Sequence, residues 1–153
     1  MTESRKVMRR RMWEWGYATR RIDELERERA DLARRADDAR ETRHAQVISD
    51  MPRGGGRKTD LCDVVERVID LEAKYREGAK DIDARIAATI DRKIEIDRLV
   101  DELDPFQQRV LTARYKDGGT WIYISLTLNC DESTARRNEE RAVDMLAAKL
   151  GIS

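Results

Sequence analysis

Aromatic residues, prolines, glycines and cysteines are all scarce in this chain of 153 residues. Aromatic side chains make up 5% of it, and only two prolines and eight glycines interrupt it. So little bulky apolar material argues against a thick globular core, and so few helix breakers favour long helices. We therefore expect an all-α protein.

Several functional classes are disfavoured by what is missing. Two cysteines, Cys62 and Cys130, are too few for a disulfide framework at this length, and they lack metal-ligand spacing. No apolar run approaches the roughly 20 residues that span a bilayer, and the N-terminus lacks the apolar core of a signal peptide. No nucleophile has a positioned base, and the glycine triplet lacks phosphate-loop spacing. We expect a cytoplasmic protein that is not an enzyme and uses no metal, cofactor or membrane.

Charge is abundant, and it is balanced only over the whole chain, which has 31 basic and 31 acidic side chains. Residues 1–59 hold 16 basic and 11 acidic side chains, residues 60–104 hold 8 and 14, and residues 105–153 hold 7 and 6. The first segment is therefore positive and the second negative. These opposite charges favour packing the two together, although an exposed ion pair contributes only about 0 to 1 kcal/mol.

Apolar residues recur every three or four positions along two long stretches, as on one face of a helix. The first stripe is Met8, Met12, Trp15, Ala18, Ile22, Leu25, Leu32, Ala36 and Ala39. The second is Leu61, Val64, Val65, Val68, Leu71, Tyr75, Ala79, Ile82, Ile86, Ile90, Ile94 and Val100. A proline and three glycines within residues 51–59 break the pattern.

This arrangement predicts a long antiparallel two-helix hairpin over residues 1–103, with its loop at 51–59. The alternative is a coiled coil between copies of the chain. A two-helix hairpin buries little surface alone, so we expect a homo-oligomer formed through the long helices.

Residues 104–153 are predicted to form a domain of three shorter helices. Asp104 and Pro105 start the first, Thr120 caps the second, and Asp131 caps the third. A helix of about eight residues, a three-residue turn and a longer helix make a helix-turn-helix, whose second helix enters the DNA major groove. The predicted inner face of this last helix is Ala135, Asn138, Ala142, Met145, Leu146 and Leu150.

Particular residues of this domain resemble sigma factor region 4. They are Leu103, Pro105, Val110, Leu111, Arg114 and Tyr115, then Ile124, then Glu132, Arg136, Arg137, Arg141, Ala142 and Leu146. The whole chain is similar to the sigma-like phage and prophage regulators of the ArpU and RinA type, including their glycine, tryptophan and isoleucine signature, here Gly118, Trp121 and Ile124. The resemblance implies a sequence-specific DNA-binding transcription regulator of phage or prophage origin. Its implied partners are double-stranded DNA and, as a second expectation, RNA polymerase.

The resemblance also assigns DNA-contacting residues. Those expected to face the bases are Ser133, Thr134, Arg136 and Arg137, and those expected to reach phosphates are Arg141, Lys116 and Thr120. The alternative for the three arginines is a solvated face paired with Glu132, Glu139 and Glu140. Trp121 we interpret as a core anchor rather than a DNA contact.

Two other functions fit the same sequence. One is a helical protein-interaction module that binds polymerase or a regulator without reading DNA. The other is a phage DNA-packaging recognition protein, which would use the same fold.

Overall fold

The structure, a computed structural model, describes residues 2–49 and 58–153, and only the backbone of residues 46–49 and 58–61. The described residues form five α-helices and a π-helical turn, and they contain no strand. The helices are α1 (Glu3–Ser49), α2 (Lys58–Asp101), α3 (Pro105–Leu111), α4 (Trp121–Leu128) and α5 (Glu132–Lys149), and the π-helical turn (Thr112–Lys116) follows α3. The all-α prediction is confirmed. The predicted loop at 51–59 lies largely outside the described residues, although positions 58 and 59 already belong to α2.

The chain divides into two compact units. One unit combines the part of α1 up to Arg21 with Thr89–Ser153, and the other is Ile22–Ala88. Each unit therefore contains segments of both long helices. The predicted domain boundary at 103/104 stays a prediction.

In the unit Ile22–Ala88, α1 and α2 pack against each other in antiparallel directions. Arg29 pairs with Asp83, and Arg43 pairs with Glu72 at 3.4 Å, so the partner's number falls as the position along α1 rises. The buried residues of this segment are Leu25, Ala36, Ala39, Ala79 and Ile82. All five belong to the two predicted stripes, so the helical periodicity located this contact correctly.

The other unit has one larger apolar core to which the ends of both long helices and the C-terminal helices contribute. Its buried members are Met8, Met12, Trp15, Ile96, Val100, Leu103, Leu111, Tyr115, Ala142, Val143, Leu146 and Ala147. Gly16 allows α1 to come very close to the π-helical turn, because a Cβ at this position would lie 1.9 Å from the backbone oxygen of Tyr115.

Three parts of the predicted faces are wrong. Leu71 of the second stripe is 42% exposed. Ile90 and Ile94 are 38% and 41% exposed, and the buried position near them is Ile96. Steps of four residues advance about 400° around a helix of 3.6 residues per turn, so a stripe built from successive such steps rotates away from the core. In α5, Met145 is 45% exposed for a related reason. The buried face of α5 is centred on Ala135, Ala142 and Leu146. Met145 lies about 100° around the helix from Leu146, so it points away from that face.

A part-buried hydrogen bond ties the two long helices together in this unit. The indole Nε1 of Trp15 donates to Asp97 Oδ1 at 2.7 Å, and Lys93 Nζ donates to Asp97 Oδ2 at 2.8 Å. Burial raises the pKa of Asp97, but the hydrogen bonds from Lys93 and Trp15 outweigh it and hold the pKa below its usual value. The charged form of Asp97 is therefore favoured by folding.

Replacing Asp97 with asparagine should destabilise the protein at neutral pH and matter less in acid. A depressed folded-state pKa contributes stability above the unfolded pKa of about 3.9, and that contribution is lost as the pH falls through the folded value. Urea unfolding at pH 7 and pH 3 should show the gap between wild type and Asp97→Asn shrinking at pH 3. Asp91→Asn, an exposed change on the same helix, is the matched control. A gap of constant size would contradict the assignment.

Candidate nucleic-acid interface

Helices α4 and α5 are joined by a tight turn whose backbone is defined by local hydrogen bonds. The Thr120 hydroxyl accepts from the backbone N–H of Tyr123 at 3.2 Å, so the predicted cap of α4 is confirmed. Asn129 ends α4 in the left-handed conformation at φ 53°, which asparagine tolerates better than most residues. Asp131 occupies the N-cap position of α5, although its side chain makes no capping hydrogen bond. The helix, turn and second helix lie where the sequence predicted them.

A small cluster beneath the turn sets the position of α5. Ala113, Ile124 and Ala135 are buried together, with Trp121, Leu128 and Cys130 packed against them. Two alanines at the contact let the helices approach closely. The first turns of α5 are thereby anchored on one side and open to solvent on the other.

Most of the predicted base-contacting residues lie on that open side. Ser133, Arg136 and Arg137 are exposed, and Thr134 is half-buried. Arg137 Nε donates to the Ser133 backbone oxygen at 3.3 Å, and Arg136 lies 3.9 Å from Glu132. Because these two contacts are long and exposed, neither of them contributes much free energy to holding its guanidinium in place.

The predicted phosphate contacts are more dispersed. Arg141 is exposed one turn beyond Arg137 on α5. Lys116 instead lies over the ring of Trp15, with its Nζ 4.5 Å from the ring centroid, so its ammonium is directed toward α1. The Thr120 hydroxyl is occupied as a helix cap. The structure therefore groups Arg141 with the α5 residues and gives Lys116 and Thr120 structural contacts of their own.

An alternating stack of arginines and tryptophans leads from α1 to Arg136. The guanidinium of Arg114 lies 5.3 Å from the Trp13 ring centroid and 4.7 Å from the Trp121 ring centroid. The guanidinium of Arg136 lies 5.6 Å from the same Trp121 centroid. Arg114 Nη1 also donates to the Gly119 backbone oxygen at 3.0 Å. The sequence predicted Trp121 as a packing residue, which its place beside the small cluster confirms, but not that it lies against Arg136.

Glu139 is the main residue that sequence reasoning misplaced. The alternative of a solvated face made it an exposed partner for the arginines of α5, yet only 1% of it is exposed. Arg9 donates to its two carboxylate oxygens at 3.0 and 2.7 Å, and the Tyr115 hydroxyl donates at 2.6 Å. Burial, then the hydrogen bond to Glu139, raises the pKa of Tyr115. The available signal was spacing, because position 139 falls four residues after Ala135, on the apolar face.

Arg5 adds a second link between α1 and α5. Its guanidinium donates to both carboxylate oxygens of Asp144 at 3.0 and 2.7 Å. The hydrogen bond from Arg5 holds the pKa of Asp144 below its usual value. The start of α1 thus contacts α5 through charged side chains on the turns that follow Arg136 and Arg137.

Metal and membrane chemistry find no support in the described part of the chain. Within residues 2–49 and 58–153, no three histidine, cysteine or acidic side chains form a group that could hold a metal ion. None of the described helices combines the length and apolar character needed to cross a bilayer. Cys62 and Cys130 are both free thiols.

Comparison with known families gives one match. The family model described as "Protein of unknown function (DUF722)" matches residues 31–148, which include α2 to α4 and nearly all of α5. The chain belongs to this family. No curated protein and no solved structure matches the chain in these comparisons. The function of this DUF722 member is therefore inferred from the geometry of α4 and α5.

Proposed function

We propose that this DUF722 protein is a sequence-specific transcription regulator that binds double-stranded DNA through α4 and α5. The observation that supports this most is the exposure of Ser133, Arg136 and Arg137 on the first turns of α5, above a packed cluster that fixes the helix. A second helix presented in this way is how helix-turn-helix proteins reach base edges.

Within this proposal the α5 residues have different roles. Arg136 and Arg137 donate to guanine O6 and N7, and each such bidentate contact discriminates against a wrong base by about 1 to 3 kcal/mol. Ser133 and Thr134 contact bases or neighbouring phosphates. Arg141 contacts the phosphate backbone and adds affinity rather than selectivity.

The proposal extends to the setting in which the protein works. Its resemblance to the ArpU and RinA regulators supports a phage or prophage regulator in the cytoplasm, with RNA polymerase as a further partner. Residues 105–153 hold seven basic and six acidic side chains, too even a balance to hold DNA strongly. A homo-oligomer formed through the long helices would raise affinity by presenting two reading helices at once.

Selection of bound sequences from random double-stranded DNA tests the proposal. Wild type should enrich a defined motif, and Arg136→Ala with Arg137→Ala should lower affinity for that motif by roughly 30-fold or more, with helicity unchanged. Arg27→Ala with Arg40→Ala removes the same charge from exposed positions in the other unit and is the matched control. An equal loss in both double variants would contradict base reading by α5.

A second candidate function has its own support. Helix α4 exposes Ile122 at 62%, Tyr123 at 49% and Leu126 at 78%, an unusual apolar display for so short a helix. A protein-interaction module that binds polymerase or a regulator would bury these side chains. The same selection separates the two: failure to enrich any motif, with retained binding to polymerase, favours the interaction module. A motif confined to phage packaging sites would favour the packaging role.

A further inference from the structure

The start of α1 and the end of α2 border an open groove of about 700 Å³ within one compact unit. Its apolar lining includes Trp15 and Ile96. Five other lining side chains are basic, and two, Glu14 and Glu95, are acidic. The basic lining consists of Arg10, Arg11, Arg21, Arg92 and Lys93, which we call the basic groove. The groove residues of α1 lie on a different face of that helix from Arg5 and Arg9, which contact α5.

Three of the cations in the basic groove have no carboxylate partner among the described residues. Arg10, Arg11 and Arg92 form no ion pair with any residue in the described ranges. Other arginines in those ranges, such as Arg27 and Arg40, also lack one, so what sets these three apart is that they line the same groove. Like charges gathered without partners repel one another, so the basic groove gains stability from an anion.

The spacing of the cations favours an extended polyanion over a single small anion. Arg10 and Arg21 are eleven residues apart on α1, which corresponds to about 16 Å along the helix at 1.5 Å per residue. Trp15 lies opposite Asp97 in the antiparallel pair, which puts Arg92 toward the Arg21 end. One phosphate ion would span only a small part of this length. A DNA backbone, with a phosphate for every 3.4 Å of rise along each strand, could contact both ends.

The net charge of residues 2–21 also favours binding of a polyanion. Residues 2–21 hold seven basic side chains against Glu3 and Glu14, whereas the segment that contains α4 and α5 is almost neutral. The free energy of DNA binding comes mainly from phosphate contacts and counterion release. Helix α5 and its neighbours carry too little net positive charge to supply much of it.

We propose that the basic groove binds the phosphate backbone of double-stranded DNA, as an affinity site separate from the reading helix. This inference rests on the proposed function, because it supplies the sequence-independent part of the same binding. Arg10, Arg11 and Arg92 donate to phosphate oxygens. Tyr17, a lining residue that is 45% exposed, lies beneath the Arg20 guanidinium at 5.2 Å, so a further cation lies beside the groove.

The test is the salt dependence of binding to two duplexes of about 30 base pairs, one random in sequence and one carrying the selected motif. The triple change Arg10→Ala, Arg11→Ala and Arg92→Ala should reduce the slope of log K against log salt by about 2 to 3. Affinity at 0.1 M salt should fall by on the order of 100-fold for both duplexes, so their ratio stays constant.

Two control variants isolate the cause. Arg27→Ala, Arg40→Ala and Arg67→Ala remove the same charge from exposed positions in the other unit and should leave the slope within about 1 of wild type. The triple change Arg10→Lys, Arg11→Lys and Arg92→Lys keeps the charges and should retain most of the slope. Circular dichroism checks that all three variants are folded.

The outcomes distinguish this inference from the proposed function. An unchanged slope in the alanine triple variant, or an equal change in the matched control, overturns the basic groove as a DNA site. Loss of oligomer in sedimentation with DNA binding unchanged also overturns it, because the groove would then hold a second copy's acidic surface. A reduced slope, together with an unaltered motif in the Arg136 and Arg137 double variant, supports the groove and refutes base reading by α5.

Discussion

Replacing Arg9 with alanine should lower the free energy of unfolding by about 3 kcal/mol, and the melting temperature by about 6 to 12 °C for a chain of this size. The change leaves the carboxylate of Glu139, 1% exposed, without its charged partner. A buried charge that loses its partner costs several kcal/mol, whereas the pair itself contributes little net stability. Thermal unfolding followed by circular dichroism measures the shift.

Two further variants show whether the unpaired charge is the cause. Combining Arg9→Ala with Glu139→Gln should recover much of the loss, because the amide carries no charge yet its oxygen still accepts from Tyr115. Arg5→Ala breaks the exposed pair with Asp144 and should shift the melting temperature far less. An Arg9→Ala protein as stable as wild type would mean that Glu139 is not buried as a charged group.

Replacing Gly16 with alanine should be at least as damaging, with a loss of about 3 kcal/mol or more despite the better helix propensity of alanine. The new Cβ would meet the backbone oxygen of Tyr115 at 1.9 Å, and a backbone atom has no rotamer with which to move aside. The turn between α3 and α4 would have to shift relative to α1.

Gly78 offers a matched control for that substitution. It also lies inside a long helix, but its Cβ would meet only the flexible Leu32 Cδ1, at 3.2 Å. Gly78→Ala should therefore be neutral or raise the free energy of unfolding by up to about 1 kcal/mol. Equal effects of the two alanine substitutions in urea unfolding would contradict the close contact at Gly16.

Periodicity in the sequence predicted what each helix does along its own axis. The spacing of Met8, Met12 and Trp15 identified the face of α1 that is buried, and Thr120 identified the start of α4. These are local signals, since a cap or an apolar stripe is determined by residues within a few turns. They sufficed for the fold class and for the helix-turn-helix.

Contacts between distant segments could not be read in the same way. Glu139 looked like a surface residue because its partner, Arg9, is 130 positions away in sequence. The close approach at Gly16 depends on a carbonyl of the π-helical turn, a feature without a sequence signature. Lys116 was assigned to DNA before its position over Trp15 was known. Long-range packing, rather than local propensity, determined all three.

The contacts of α1 bear on the proposed function. Arg9 and Arg5 bind α5 beyond its exposed first turns, and Trp13 begins the stack that ends at Arg136. The orientation of Arg136, one of the two arginines proposed to read bases, thus depends in part on a helix at the opposite end of the sequence. In this account, α1 positions α5 and the exposed arginines of α5 provide selectivity.

The most direct test of base reading by α5 is to repeat the random-DNA selection with Arg136→Ala and Arg137→Ala as separate variants. Each should lose preference at its own one or two base positions and keep the rest of the wild-type motif, because a bidentate arginine specifies one base pair. If both variants select the wild-type motif with undiminished preference at every position, α5 does not read DNA through these arginines.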